Sequence, residues 1–306
     1  MATGDSSTCA VTVANNTFSD AEVNPTTAVD GHLRITDADG AHVNGSTASP
    51  GPVTLGKKVD GDPQAAPGDS PAAGEYLPLA SFGVPPTAVG DETIVNYDVP
   101  AFVFHDTTYT SIGVTSDGYL VVGGGSGSDN SINNQRFPNA TPPNNVLAPF
   151  WTDLNGEAGS NGGGDGLRVG TLSDGTNQWI VVEWDIAIFG APNDVRSFQV
   201  WLGTNGTEDI SYVWNQTLAP APAAAGLSIG AENSGGIGGF TLDALPDASS
   251  GYAAQRVAST PSTPGGSLTY HVTVQGAIPG TGTVTTRMAA PDGPGTYVVT
   301  SEVRVT

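Results

Sequence analysis

Apolar and polar residues alternate over stretches of five to nine positions along most of the chain, and clusters of Gly, Pro, Asn and Asp separate the stretches. A period of two is the mark of strands with one face toward a core, whereas the 3.6-residue period of an amphipathic helix is missing almost everywhere. The pattern predicts an all-β protein. The clearest strands in the middle of the chain are 94–104, 111–122, 179–186, 197–202, 209–214 and 227–231. Tight turns are expected at Ser116-Asp117-Gly118 and Thr204-Asn205-Gly206, where Asp or Asn before Gly supplies the positive φ that a hairpin needs.

The ends carry fewer strands. Candidates before residue 75 are 9–14, 32–36, 41–43 and 53–59. After residue 252 they are the alternating Leu268, Tyr270, Val272 and Val274, then 283–288 and 297–305. Neither set reaches the seven or so strands of a sandwich, but together they suffice. We therefore expect 1–75 and 252–306 to form one Ig-like β-sandwich, with 76–251 a jelly-roll-like β-sandwich inserted between two of its strands. Three separate beads is the weaker arrangement, because pieces that small are hard to stabilise without a disulfide. Residues 60–75 read as a Pro/Ala/Gly linker without regular structure, and 234–251 as an irregular return.

The chain has 306 residues, more than one typical domain, with 42 glycines and 23 prolines. Acidic residues outnumber basic ones 30 to 9, for a formal charge of −21. That charge repels a phosphate backbone and excludes nucleic acid as the natural partner; it also disfavours an anionic bilayer. No run of about 18 apolar residues exists, so membrane insertion is not expected. The start, Met1-Ala2-Thr3-Gly4-Asp5, lacks the basic and apolar stretches of a signal peptide. Few lysines and many Thr, Asn, Gly and Ser suit a secreted, monomeric protein. The one cysteine, Cys9, cannot close an intramolecular disulfide and reads as a spectator on an apolar strand face.

Candidate chemistry is sparse. Gly226-Leu227-Ser228-Ile229-Gly230 matches the nucleophile elbow of α/β-hydrolases, but the elbow needs a following helix that this sequence does not offer. The histidines at 32, 42, 105 and 271 have no metal-ligand spacing. Glu183 and Asp185, two apart in a strand, share a face. They could form the acid and base of a glycan-cleaving enzyme, or simply the solvent side of a strand whose Val182, Trp184 and Ile186 face the core. Asp153, Asn155, Glu157 and Asp165 place several oxygens in one Gly-rich stretch, a candidate calcium site that departs from the EF-hand spacing. Trp179 and Trp184 have opposite parity in one strand, so one ring should face outward as a ligand-binding platform unless both sides of the sheet are covered.

Five segments in the middle carry a resemblance. They are Tyr109-Thr-Ser-Ile-Gly-Val-Thr-Ser-Asp-Gly-Tyr-Leu-Val-Val-Gly123, Asn144-Asn-Val-Leu-Ala-Pro-Phe-Trp-Thr-Asp-Leu154, Trp179-Ile-Val-Val-Glu-Trp-Asp185, Phe198-Gln-Val-Trp-Leu202 and Asp209-Ile-Ser-Tyr212. In that order they resemble the β-sandwich module C-terminal to the catalytic domain of secreted bacterial subtilisin-like serine peptidases and, more distantly, nidogen-type extracellular modules. The resemblance covers about 76–235; the flanks, 9–16 and 296–306, are similar to adhesion-type Ig-like repeats. It implies a non-catalytic accessory region that binds an insoluble protein or polysaccharide substrate, or its own catalytic domain, or that supports folding. The Asp, His and Ser motifs of a subtilisin-like triad do not occur in these residues, so no catalytic role carries over. A stand-alone adhesin or carbohydrate-binding protein is the alternative from a second class.

Overall fold

A computed structural model describes the chain except for residues 68–75, 216–225, 246–251 and 291–294, and the side chains of Tyr252 and Ala253. Strands make up 57% of it and helix 3%, so the period-two pattern is realised as an all-β, sandwich-like protein. The N-terminal stretch forms β1 (Ser6–Ala14), β2 (Ala21–Val23), β3 (Thr26–Val29), β4 (Leu33–Asp39), β5 (His42–Asn44), β6 (Thr47–Ser49) and β7 (Val53–Leu55). The middle forms β8 (Pro63–Ala66), β9 (Ile94–Phe104), β10 (Thr107–Thr115), β11 (Leu120–Val122), β12 (Val146–Trp151), β13 (Leu154–Asn155), β14 (Gly164–Ser173), β15 (Gln178–Ile188), β16 (Ala191–Gly203), β17 (Ile210–Asn215), β18 (Ser228–Glu232), β19 (Gly239–Leu242) and β20 (Tyr252–Ser259). The last three are β21 (Ser267–Gly276), β22 (Gly280–Ala289) and β23 (Thr296–Val305).

The chain divides into two compact units, Met1–Val59 with Thr263–Thr306, and Asp60–Ser262. In the terminal unit a three-stranded sheet, β1-β21-β4, and a five-stranded sheet, β23-β22-β3-β6-β5, close over Leu33, Ile35, Tyr270, Val272 and Val274. The β2-β7 pair completes it. Residues flanking its first and last strands are hydrogen-bonded: Thr3 N donates to Thr306 O at 3.0 Å, and Thr306 N to Met1 O at 3.0 Å. Val59 and Thr263 are also bonded to each other in both directions, at 2.9 and 2.7 Å.

The unit boundaries differ from those expected at 75/76 and 251/252. Pro63–Ala66, inside the segment read as a structureless linker, is a strand paired antiparallel with β20, and the 68–75 part of that segment lies outside the described residues. Proline is tolerated here because β8 is an edge strand with Pro63 at its first position. β20, assigned to the terminal sandwich by sequence, is hydrogen-bonded to β17 of the middle unit. The expected strand 111–122 is two strands, because Ser116-Asp117-Gly118 turns between β10 and β11.

The middle unit is a sandwich of a six-stranded sheet, β19-β18-β12-β11-β10-β9, and a larger one, β13-β15-β16-β17-β20-β8, with β14 also paired to β15. Its core draws Phe102, Phe104, Ile112 and Phe150 from the first sheet and Trp184, Phe198, Val200, Tyr212 and Trp214 from the second. Burying each such side chain contributes about 1.5–3 kcal/mol. Three of them also bond to the opposite sheet: Trp184 Nε1 donates to Thr115 O at 2.8 Å, Trp214 Nε1 to Pro149 O at 2.9 Å, and the Tyr212 hydroxyl to Gly230 O at 2.7 Å.

The outer face of the larger sheet is covered too. Residues 76–84 cross it, and Leu79 is buried against Trp179, Val181, Trp201 and Val213. Trp179 and Trp184 are therefore 4% and 0% exposed, and neither ring offers a binding platform. The 76–84 segment thus covers the second side of the sheet, which is the condition for burying rings of both parities in one strand.

Because the terminal unit comes together across the bonded pair Val59 and Thr263, it should fold without the middle one. Replacing 60–262 by a short Asn-Gly turn is expected to leave a β-protein with a cooperative melt, observed by far-ultraviolet circular dichroism. A molten, non-cooperative product would show that the terminal strands depend on the insert.

Candidate functional site

Glu183 was expected on a solvent face. It is instead 2% exposed, under the 76–84 segment. Its Oε2 accepts from Leu79 N at 3.0 Å and Gln199 Nε2 at 2.7 Å, and its Oε1 lies 3.4 Å from Arg168 Nη1. Gln199 Nε2 also donates to Leu77 O at 2.6 Å. Asp185 accepts from Ser197 Oγ at 2.9 Å. Burial and the Glu183 and Asp185 charges push the Tyr76 hydroxyl pKa far up. Glu183 thus holds the crossing segment to the sheet, and Asp185 bonds to the neighbouring strand β16. Breaking a buried ion pair leaves the partner charge uncompensated. Glu183→Leu should destabilise the middle unit by about 3–5 kcal/mol and Glu183→Gln by distinctly less, as read by denaturant unfolding.

Ser228 is buried on β18, in a strand rather than at an elbow. Cys9 is half-buried, with Sγ 3.4 Å from Val272 O.

Of the four residues proposed from sequence as a metal loop, three have other partners or face solvent. Asp165 is exposed and pairs with Arg168 at 3.4 Å, Asn155 Oδ1 accepts from Glu157 N at 2.7 Å, and Glu157 is exposed. Among the described residues no group of three or more His, Cys, Asp and Glu side chains is arranged to hold a metal ion. Asp153, however, belongs to a gathering that sequence reasoning missed.

Its centre is the Ser116-Asp117-Gly118 turn. Such turns ordinarily face water, but Asp117 is 0% exposed, because two segments lie on it. Thr93 N donates to Ser116 Oγ at 3.0 Å and Ser116 N to Thr93 O at 2.8 Å. From the other side Thr152 N donates to Asp117 O at 3.2 Å and Leu154 N to Asp117 Oδ1 at 3.3 Å. Gly118, with φ +80°, is required: a Cβ there would stand 2.1 Å from Phe150 O. Asp91 and Asn155 form an antiparallel bridge.

Burial pushes the Asp117 carboxyl up to about 8, and the charges of Asp153, Asp91 and Glu92 add to it against the Leu154 N–H. Burial likewise raises Asp91, with Glu92, Asp153 and Glu157 contributing, and Asp153, with Glu92 contributing. Every charged neighbour acting on these three is another carboxylate.

A second feature of the unit is a shallow depression of about 550 Å³ at the β9 edge of the six-stranded sheet, lined by Asn96, Tyr97, Asp98, Ser111, Ser126, Asp129 and the three glycines 123–125. Its glycine wall is fixed in place. Asn96 accepts from Gly125 N at 2.9 Å and donates to Gly125 O at 2.8 Å, and Asp129 Oδ2 accepts from Ser126 N at 2.8 Å. In the terminal unit an apolar groove of about 490 Å³ lies between the free edges of β1 and β23, beside Tyr297 and Val299, which are 62% and 68% exposed.

Glu232, buried at the end of β18, has its pKa raised by burial to about 7, against the Asn139 N–H that it accepts at 2.9 Å. A carboxyl raised on folding stabilises while protonated, and that contribution is lost as pH rises from the unfolded value near 4.5 through about 7. Glu232→Gln should flatten the decline of stability across that window, as read by melting temperature against pH.

The fold and these features agree with what comparison finds. No curated protein and no solved structure matches the chain. The model of the NIDO-related family matches residues 70–272, more than half of the sequence and most of the middle unit, in keeping with a nidogen-like β-rich module of extracellular type. No helix of the described residues is long and apolar enough to cross a membrane. The chain belongs to the NIDO-related family.

Proposed function

We propose that this chain is a secreted, non-catalytic accessory region, of the kind attached to subtilisin-like serine peptidases, that binds an insoluble protein or polysaccharide substrate or surface. The observation that carries this reading is the polar depression at β9. It presents Asp98 and Ser111 on a wall already ordered by Asn96 and Asp129, so little conformational entropy remains to be lost on binding. Polar groups of this kind suit hydroxyl-rich or peptide ligands, and the family is one of extracellular type. The buried Glu183 and Ser228, and Asp185 bonded to Ser197, favour a module without chemistry of its own. Attached to a catalytic domain, such a module raises the effective concentration of enzyme at a particle surface.

The stand-alone adhesin remains a second reading, favoured by the apolar groove between β1 and β23, where another extended segment could add to a free sheet edge.

Depletion from solution by insoluble protein and polysaccharide particles tests the first reading. We expect retention on one particle class in moderate salt, and at least tenfold weaker retention for the Asp98→Ala/Ser111→Ala double variant. No retention on either class, or retention unchanged in the double variant, overturns it.

A further inference from the structure

The terminal unit carries an apolar strand edge that particle binding does not use. Tyr297, Val298 and Val299 on β23 are the one run of three consecutive exposed large apolar residues among the described residues. Successive residues of a strand point to opposite faces, so Tyr297 and Val299 line the groove between β1 and β23 while Val298 stands on the outer face. β23 is also the end strand of its sheet, paired with β22 over ten residues without a bulge. Edge strands are ordinarily blunted by lysine, proline, a bulge or shortness, and β23 has none of these.

The direction of its free backbone groups follows from the hydrogen bonds at the chain ends. Arg304 O accepts from the Met1 amino group at 2.9 Å, and Thr306 gives its N–H to Met1 and accepts from Thr3. These bonds lie on the side away from β22. With a period of two, Val298, Thr300 and Glu302 turn their N–H and C=O to that same side, where no strand among the described residues pairs with them. An acyl chain laid in the groove would leave that row unsatisfied, whereas another strand satisfies it.

We propose that β23 is the face of a two-fold dimer, in which it pairs antiparallel with β23 of a second copy and joins the two five-stranded sheets into one. Charge selects the register. β22 places Arg287 opposite Val298, and Arg287, Val298 and Glu302 are exposed on one face of the sheet. With Thr300 on the axis, Glu302 of the second copy stands opposite Val298 and in line with Arg287, and the symmetry repeats that row. The outer two of those three strands are about 10 Å apart, a span that the long arginine and glutamate side chains close over the valine. On the groove side the same register sets Tyr297 opposite Val303 and Val299 opposite Ser301. An axis at Val299 or Ser301 sets Glu302 opposite Thr296 or Thr300, out of line with Arg287, and an axis at Glu302 opposes like charges. An axis at Val303 pairs Glu302 with Arg304, but it falls where residues 1–3 already occupy the edge and leaves Tyr297–Val299 uncovered. The dimer departs from the monomer expected from sequence. It rests on the free sheet edge of the second reading, with a second copy as the added segment; particle retention turns instead on Asp98 and Ser111, so the two fail separately.

The test is sedimentation equilibrium of the whole 306-residue chain over a concentration series, with thermal melts to establish that each variant is folded. The unaltered chain should rise with concentration to twice the mass of one chain. Val299→Lys puts a charge at a groove-facing edge position and should weaken association about tenfold or more. Arg287→Glu and Glu302→Arg should each weaken it about fivefold, because two favourable pairs become like-charge pairs, and combining them should restore it to within about twofold. All three positions are exposed, so the variants should fold. A single-chain mass at every concentration overturns the proposal and leaves the groove to a foreign strand or to none. So does association unchanged in Val299→Lys, or a double variant that associates no better than the single ones.

Discussion

The middle unit depends on three side chains that are apolar over most of their surface and polar at one end. Trp184, Tyr212 and Trp214 fill the space between the two sheets, and each passes its single N–H or O–H to a main-chain carbonyl of the opposite sheet. A buried indole or phenol without a partner would oppose the burial of its own ring. Satisfying each donor across the gap therefore specifies one placement of sheet on sheet, where hydrophobic packing alone tolerates several. Two of the accepting carbonyls, Thr115 and Pro149, lie on the strands that lead into the Asp117 turn and into the 152–154 segment over it. The acidic turn follows directly on Thr115, whose carbonyl takes the Trp184 bond.

A second polar arrangement works on the outer face. Glu183, Gln199 and Arg168 lie on adjacent strands of the larger sheet and satisfy one another and the main chain of residues 77 and 79. Leu79 then closes an apolar layer over Trp179 and Trp201. The segment that crosses the sheet is short and lacks strand pairing, so these side chains supply the bonds that a neighbouring strand would otherwise give.

Much of this was legible in the sequence, and the failures share a cause. The run Ile94–Phe104 is a strand with the expected bounds, because its alternation and turn residues are local facts. Alternation also assigned Trp179, Trp184 and Glu183 to opposite faces correctly, but it does not state what covers each face. The cover of Glu183 is Leu79, 104 positions away. A hint was available in the almost unbroken apolar stretch around it, the usual mark of a strand buried on both sides. Pro63–Ala66 was missed because edge strands need little intrinsic propensity when a neighbour provides the ladder. Asp117 read as an ordinary turn residue, since Asp-Gly is what a turn requires; that Asp91 and Asp153 converge on it depends on pairings between segments distant in sequence. Of the candidate residues chosen by nearness along the chain, Asp153 and Glu157 act on Asp91, whereas Asp165 pairs with Arg168.

The hydrogen bonds joining residues 1–3 to 304–306 have a mechanical meaning. Tension applied to the two ends pulls first on that short ladder, which opens one bond at a time. The path from Met1 to Thr306 is bridged there, and again at Val59 and Thr263, before any strain reaches the 203 residues between them. The inserted sandwich sits on a side loop of the force path. A polypeptide stretched between a cell and a surface would hold this module slack, its depression and its carboxyl cluster undeformed, until both clasps had parted.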